Sequence, residues 1–414
     1  DPGRKKTGVL LYSSTELCGT VASPEKNLIS DTVLEKNGIE LVIAEATDIR
    51  RDDKVIKTSD GDIAYDRLVL ATGSRPAAPP IEGIDLDGVF SIHKDIAYLH
   101  ALQERVSQAS DVVVIGGGFI GIEFADEIQK AGDKHVTVVE VAPHCLNLAY
   151  DDEFCLKMEE VVRSRGIDVR TSTKVNRIVG ADVVERVVLS DGSELNADVV
   201  VVGVGTVPNV SLAKTAGLRI GQQTDAIMVD RTMQTSDPNI YACGDCAKKI
   251  AFFGGAPSTL RLALIATSEA RIAGANLFGV RRENIGTVGV WSTSVGDLAM
   301  GTAGLTEAMA KARGYDTVAA TIEGPNRHPE FMPGVVNTAM KLVFETHSGV
   351  VLGGQVAGDA AVGEIINALS ACIQSRMTAE QIAMFQSGTH PALTASPIAY
   401  PLVNAAEVAI STMR

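Results

Sequence analysis

The chain has 414 residues, 45% of them hydrophobic and only 4% aromatic, which allows a sizeable core in two or three domains of an α/β enzyme rich in Val, Ala and Ile. A formal net charge of −14 argues against nucleic acid or an anionic membrane as the main partner, since both are polyanions. Charges interrupt every long apolar stretch, no signal peptide is visible, and six cysteines in a chain this long form no disulfide framework, so a reducing, cytoplasmic setting is expected.

In chain order, residues 39–44 are apolar and read as a strand. Asp60-Gly61-Asp62 turns the chain, and residues 65–70 form a strand that leads into Ala71-Thr72-Gly73-Ser74-Arg75-Pro76. A connection rich in proline and glycine covers residues 76–90, and residues 91–107 read as a helix, which places a domain boundary near 107.

Residues 111–140 then carry the sharpest signal: a buried strand, a glycine turn, a helix over 119–130 and a second strand closed by an acid. Gly116 permits the tight turn, Gly118 lets the backbone approach a pyrophosphate, and Gly121 lets the helix pack closely on the strand. The phosphates would meet the free N–H groups at the helix start. Glu140 can accept hydrogen bonds from a ribose 2′-hydroxyl but would repel a 2′-phosphate. The residues that follow, Val141-Ala142-Pro143, offer no arginine, so NAD(H) is favoured over NADP(H). Three glycines alone would prove little; the strand, helix and acid around them make the motif specific.

Residues 151–165 read as a helix, 175–189 as hairpins with a turn at Asp191-Gly192, and 197–204 as a buried strand. The segment from Thr235 to Asp245 is a short apolar strand ending in Gly244-Asp245, which puts a carboxylate at a strand's C-terminal edge, where cofactors bind in open α/β sheets. From about 285 the texture changes. Strands at 286–296, 340–344 and 350–355 alternate with helices at 361–375 and 378–386, an α+β arrangement suited to an interface domain. The apolar stripe Val362, Ile365, Ile366, Leu369, Ile373 has helical spacing, a pattern that marks core more often than interface.

The Ala71-Thr72-Gly73 segment, the glycine unit from Gly116 and the Gly244-Asp245 element, in that order, resemble the FAD-dependent pyridine nucleotide-disulfide oxidoreductase family over nearly the whole chain. The resemblance looks closest to the branch of NADH oxidases, NADH peroxidases and coenzyme A disulfide reductases, and includes the stretch from Gly205 to Asn209 and Leu352-Gly353-Gly354-Gln355. It implies an α/β fold with two Rossmann-like, three-layer dinucleotide-binding domains, for FAD and NAD, and a C-terminal α+β interface domain. The expected partition is 1–107 and 223–285 for FAD, 108–222 for NAD and 286–414 for the interface. By the same resemblance Asp245 would hydrogen-bond the FAD ribitol or pyrophosphate, with Gly244 beside it. Thr72, Gly73 and Gly205 would line the FAD site, and Ala46 would meet the adenine through its backbone. Phe119 matches the aromatic that shields the flavin and Glu123 the acid near the nicotinamide.

The chain departs from the family twice. Members open with their own strand-GxGxxG-helix for the ADP half of FAD, which is not found before residue 39, so an upstream segment is expected. Members that reduce peroxide or disulfides carry a redox cysteine in a Cys-Gly-x-Pro-Tyr-like element. Here Tyr12-Ser13-Ser14-Thr15-Glu16 stands in that place, with Cys18 displaced from it. A phenol cannot become a sulfenate or exchange with a disulfide. Cys243 and Cys246 form a CxxC without the further ligands that zinc or an iron–sulfur cluster needs, so no metal site is expected. His390-Pro391 resembles a C-terminal His-Pro acid–base element but has no thiol pair to serve.

With FAD as the redox centre, NADH/NAD⁺ stands on one side and an acceptor on the other. The first expectation is an NAD-reducing FAD subunit exchanging electrons with iron–sulfur clusters on partner subunits, similar to those of anaerobic aldehyde or 2-oxoacid (phenylglyoxylate) oxidoreductase complexes. The alternative is a free-standing NADH oxidase or coenzyme A disulfide reductase using Cys18 or another thiol. A homodimer through the C-terminal domain is compatible with either.

Overall fold

The computed structural model describes residues 32–130 and 132–413. They fall into two compact units: one takes the residues up to Pro79 with Ser91–Ser107 and Val204–Thr287, the other Pro80–Phe90, Gln108–Gly203 and the chain from Val288 onward.

The first unit is assembled from small sheets. Ala46–Arg50, Val55–Thr58 and Gly61–Ala64 form an antiparallel three-stranded sheet. Leu68–Leu70 pairs in parallel with Ile240–Ala242, and Ser74–Pro76 pairs antiparallel with Thr206–Pro208. The helix Ala263–Asn276 closes the unit over a core that includes Ile49, Leu70, Ile227, Ile240, Ala242 and Ala273. The strand expected at 39–44 is not formed: these residues lie outside regular structure and Ile39, Leu41, Val42 and Ile43 are exposed. An apolar run becomes a strand only when a neighbour supplies a ladder, and among the described residues none pairs with this one. The helix expected from 91 begins at Ile96 instead. Asp95 sets its start, its carboxylate accepting from Tyr98 N at 2.8 Å, as a capping acid does.

The second unit holds a five-stranded sheet in the order Val89–Ser91, Val199–Val202, Asp111–Ile115, His135–Val139, Asp168–Arg170. Its last four strands run parallel. All four residues of Val199–Val202 are buried, as the unbroken apolar run requires of a strand covered on both faces. An antiparallel sheet follows in the order Val290–Val295, Leu298–Gly304, Val351–Gly358, Asn337–Glu345, Thr317–Pro325. The helix Val362–Gln374 lies on it and buries Val362, Ile366, Leu369 and Ile373, so that stripe is core. The fold is the expected α/β architecture with a C-terminal α+β segment. No helix among the described residues is long and apolar enough to cross a membrane.

Candidate functional site

In the second unit the strand Asp111–Ile115 ends in a turn that only glycine accommodates: Gly116 has φ +104° and its N–H donates to Val139 O at 2.8 Å. The helix Phe119–Gln129 follows, capped by Gly118 without a side-chain acceptor, so its first N–H groups remain available to an anion. A Cβ at Gly121 would stand 1.8 Å from Gly116 O, whereas a Cβ at Gly118 would meet nothing within 4 Å. One glycine is therefore required by packing and the other leaves open space where a diphosphate would approach. Glu140 is pinned at both oxygens. Oε2 accepts from Gly117 N at 2.5 Å and Oε1 from Ala142 N at 2.7 Å, which fixes an acceptor at the end of the second strand.

Phe119 and Glu123 stand one turn apart on that helix. Phe119 is half-buried and stacks on Trp291, centroids 6.0 Å apart and planes at 9°. Glu123 Oε1 accepts from Thr293 Oγ1 at 2.9 Å. Burial pushes the Glu123 carboxyl above its ordinary range, the Thr293 hydrogen bond pulls it back and the Glu127 charge pushes it up again. Trp291 and Thr293 escaped the sequence reading, because nothing local ties a strand near residue 290 to a helix near 120.

In the first unit three motifs far apart in sequence meet. Thr72 Oγ1 donates to Asn209 O at 2.6 Å, and Asn209 N donates to Gly73 O at 2.9 Å. Ala77 N donates to Gly205 O at 2.9 Å, and Ser74 Oγ donates to Asp245 Oδ2 at 2.7 Å. Thr72, Gly73, Gly205, Gly244 and Asp245 are thus joined through one hydrogen-bonded cluster. Ala46 is not part of it and lies exposed at the start of the strand Ala46–Arg50. A buried ion pair braces the turn: Lys249 Nζ lies 2.9 Å from Glu269 Oε2, which also accepts from Gly244 N at 2.9 Å. A small pocket beside Asp245 is lined by Thr224, Lys249, Ser258 and Arg261. Thr224 Oγ1 in this lining and Glu269 Oε1 beside Gly244 are buried without a partner among the described residues. The two donor sets fit an FAD and an NAD: each offers glycine backbone, a strand-end carboxylate and unspent polar groups.

Among the described residues the cysteine thiols make no hydrogen bond to either set, though Cys145 Sγ lies 2.6 Å from where a Cβ at Gly117 would stand. Cys246 Sγ packs on Leu70 O and Cys243 O inside the core. Burial pushes the Cys145 and Cys155 thiols up to about 12 and Cys243 to about 11. His390 is exposed, and its Nδ1 accepts from Ala392 N at 3.2 Å within a turn. Tyr12 to Glu16 and Cys18 lie outside the described residues.

Comparison with known proteins bears on the fold and the family. Residues 6–270 match the model of the pyridine nucleotide-disulphide oxidoreductase family and residues 290–398 the dimerisation domain of that family. The chain is 35% identical to an NADH oxidase of Methanocaldococcus jannaschii over 90% of this chain and 83% of the relative. It is 33% identical to a CoA-dependent NAD(P)H sulfur oxidoreductase of Pyrococcus abyssi over 93% and 86%. The solved NAD-dependent persulfide reductase of A. fulgidus superposes with a TM-score of 0.92 at 33% identity, covering 100% of this chain and 78% of that one. With residues 6–270 and 290–398 matched in this way, the chain belongs to the pyridine nucleotide-disulphide oxidoreductase family, whose members are flavoenzymes working with FAD and a nicotinamide dinucleotide.

Proposed function

We propose that the chain is a free-standing NADH:acceptor oxidoreductase that oxidises NADH with FAD and reduces a small acceptor, in the manner of an NADH oxidase. The observation that carries this reading is the doubly anchored Glu140 at the end of the glycine cradle, which would favour the unphosphorylated dinucleotide. FAD, when bound, supplies a centre that takes two electrons from a nicotinamide and releases them together or singly. The residues of this chain bind and orient. Asp245, with Ser74 holding it, Thr72, Gly73, Gly205 and Gly244 would hold the flavin nucleotide, and Ala46 would meet its adenine. Gly116, Gly118 and Gly121 would seat the NADH diphosphate, and Phe119 and Glu123 would face the nicotinamide.

The relatives are named for oxidase and sulfur-reducing activities, which supports the free-standing reading better than the complex-subunit reading that the sequence suggests first. Thiol exchange through Cys145, Cys155, Cys243 or Cys372 is disfavoured, because each is buried with its thiol held protonated, which leaves Cys18, outside the described residues, as the thiol to test against direct reduction of an acceptor such as dioxygen. One specific observation keeps the subunit reading as second: Tyr12 to Glu16 stand where relatives that use a thiol carry it, which suits electron transfer to iron–sulfur clusters on a partner.

The deciding experiment is anaerobic stopped-flow reduction of the FAD-loaded protein by NADH, followed by air or benzyl viologen, with wild type and Cys18→Ser in parallel. Rapid bleaching, reoxidation by air at catalytic rates and full activity of Cys18→Ser are expected. Reoxidation by viologen alone would transfer the assignment to the subunit reading. A long-wavelength thiolate-to-flavin band lost in Cys18→Ser would transfer it to a thiol reductase.

A further inference from the structure

Within the second unit the helix Phe119–Gln129 and the strand Val290–Val295 pack on each other. Side chains two apart on a strand share a face, as do side chains four apart on a helix. Trp291 and Thr293 therefore present a pair to the pair Phe119 and Glu123, and the pairs meet one to one. The indole stacks on the phenyl ring, and the Thr293 hydroxyl donates to Glu123 Oε1 at 2.9 Å. Thr293 is only 7% exposed, so water competes little for that proton. A hydroxyl carries one proton, and this one is committed to the carboxylate.

Resting on the reading of Phe119 and Glu123 as the nicotinamide-side residues, we propose that Thr293 and Trp291 are positioning residues for the reaction. The hydroxyl fixes the carboxyl of Glu123, the indole fixes the ring of Phe119, and the nicotinamide geometry is set by a strand of the C-terminal segment. A glutamate on a helix surface otherwise samples many rotamers, and a small misplacement near a reacting centre is costly. Among the described residues, the groups that face Glu123 are Glu127 on its own helix, the phenol of Tyr150, which burial keeps neutral, and Thr293 from the strand. Burial and the Glu127 charge raise the Glu123 carboxyl, and Thr293 is the group that opposes them. Loss of the hydroxyl moves its titration upward.

The test uses the full FAD-loaded chain. Trp291 is its single tryptophan, so intrinsic emission reports from beside the contact. Emission is titrated against pH in wild type, Thr293→Val, Thr293→Ser and Glu123→Gln, the last identifying the Glu123 step by its disappearance. Thr293→Val, which keeps the side-chain shape, is expected to raise the midpoint by about one pH unit. It is also expected to slow flavin reduction by NADH about tenfold at pH 7 with a smaller change in NAD⁺ affinity, and Thr293→Ser to restore both. Trp291→Leu is expected to raise KM for NADH about two- to tenfold, with Trp291→Phe recovering most of it. An unmoved midpoint and an unchanged rate in Thr293→Val, with wild type reduced normally by NADH, would overturn this proposal alone. Wild-type protein that NADH does not reduce would overturn the underlying reading and this proposal with it.

Discussion

At the scale of single residues the glycine turn separates two kinds of necessity. Gly121 has no room for a methyl group because the Gly116 carbonyl lies 1.8 Å from where it would stand, whereas Gly118 has open space and a φ of −74° that any residue adopts. Gly121→Ala is therefore expected to cost about 1–3 kcal/mol of stability, seen as a lower denaturation midpoint, together with NADH-dependent reduction. Gly118→Ala should fold as well as wild type, or slightly better. It should raise KM for NADH about tenfold, since its methyl group would occupy the diphosphate's approach. If the two variants lost stability equally, the assignment of Gly118 to the ligand would fail. The glycines, Glu140 and the flavin-side motifs were legible in the sequence because each is a local pattern with a local reason. Thr293 and Trp291 were not, because their meaning depends on a contact between residues about 170 positions apart.

At the scale of elements, local signals located most strands and helices and failed where a partner decides the outcome. The run at 39–44 has a strand's composition without a ladder among the described residues, and the helix Ile96–Gln108 waits for the cap at Asp95. Asp151 was legible as the start of a helix but not as a junction. Its carboxylate accepts from Glu307 N, Ala308 N and Gln355 Nε2, tying the helix Asp152–Ser164 to the C-terminal segment. Lys341 sits at the centre, 3.0 Å from Asp151, 2.6 Å from Glu153 and 2.9 Å from Glu307, with its side chain 7% exposed. Lys341→Met leaves the buried Asp151 carboxylate without its cation and should cost about 3–5 kcal/mol in a chemical denaturation, most of it through Asp151, since Glu307 keeps Lys311 and Glu153 is half-exposed.

The pH dependence of this junction follows from the direction of each shift. Despite burial, hydrogen bonds and the Lys341 charge hold Asp151 below its ordinary 3.8 and Glu307 below 4.5. Their contribution is complete above those values and is lost as pH falls through the lower folded ones. Lys341 is held above 10.5, so its contribution is complete below that value and is lost only as pH rises through the raised one. Wild type should thus lose more stability than Lys341→Met between about pH 5 and pH 3. Parallel acid-denaturation curves for the two proteins would show that the junction carries no such linkage.

At the scale of the whole molecule, charge and apolar surface make opposite demands on association. Each chain carries a net −14, so two copies repel at long range. The segment that matches a dimerisation domain nevertheless exposes Phe331 at 85% and Leu393 at 71%. The two loops that bear these side chains touch, because His328 N donates to Pro391 O at 3.3 Å. Burying one such side chain against a second copy contributes about 1.5–3 kcal/mol, which is not screened by salt, while the opposing repulsion is. A homodimer held this way should tighten as ionic strength rises, the reverse of a complex steered by opposite charges. Sedimentation velocity across a salt series should therefore show a dimer whose dissociation constant falls with added salt. Phe331→Asp combined with Leu393→Asp should give a folded monomer at the same concentrations, by removing the apolar contribution and adding negative charge to chains that already repel. A dimer that loosens with salt would mean that the contact is polar and that these side chains lie outside it.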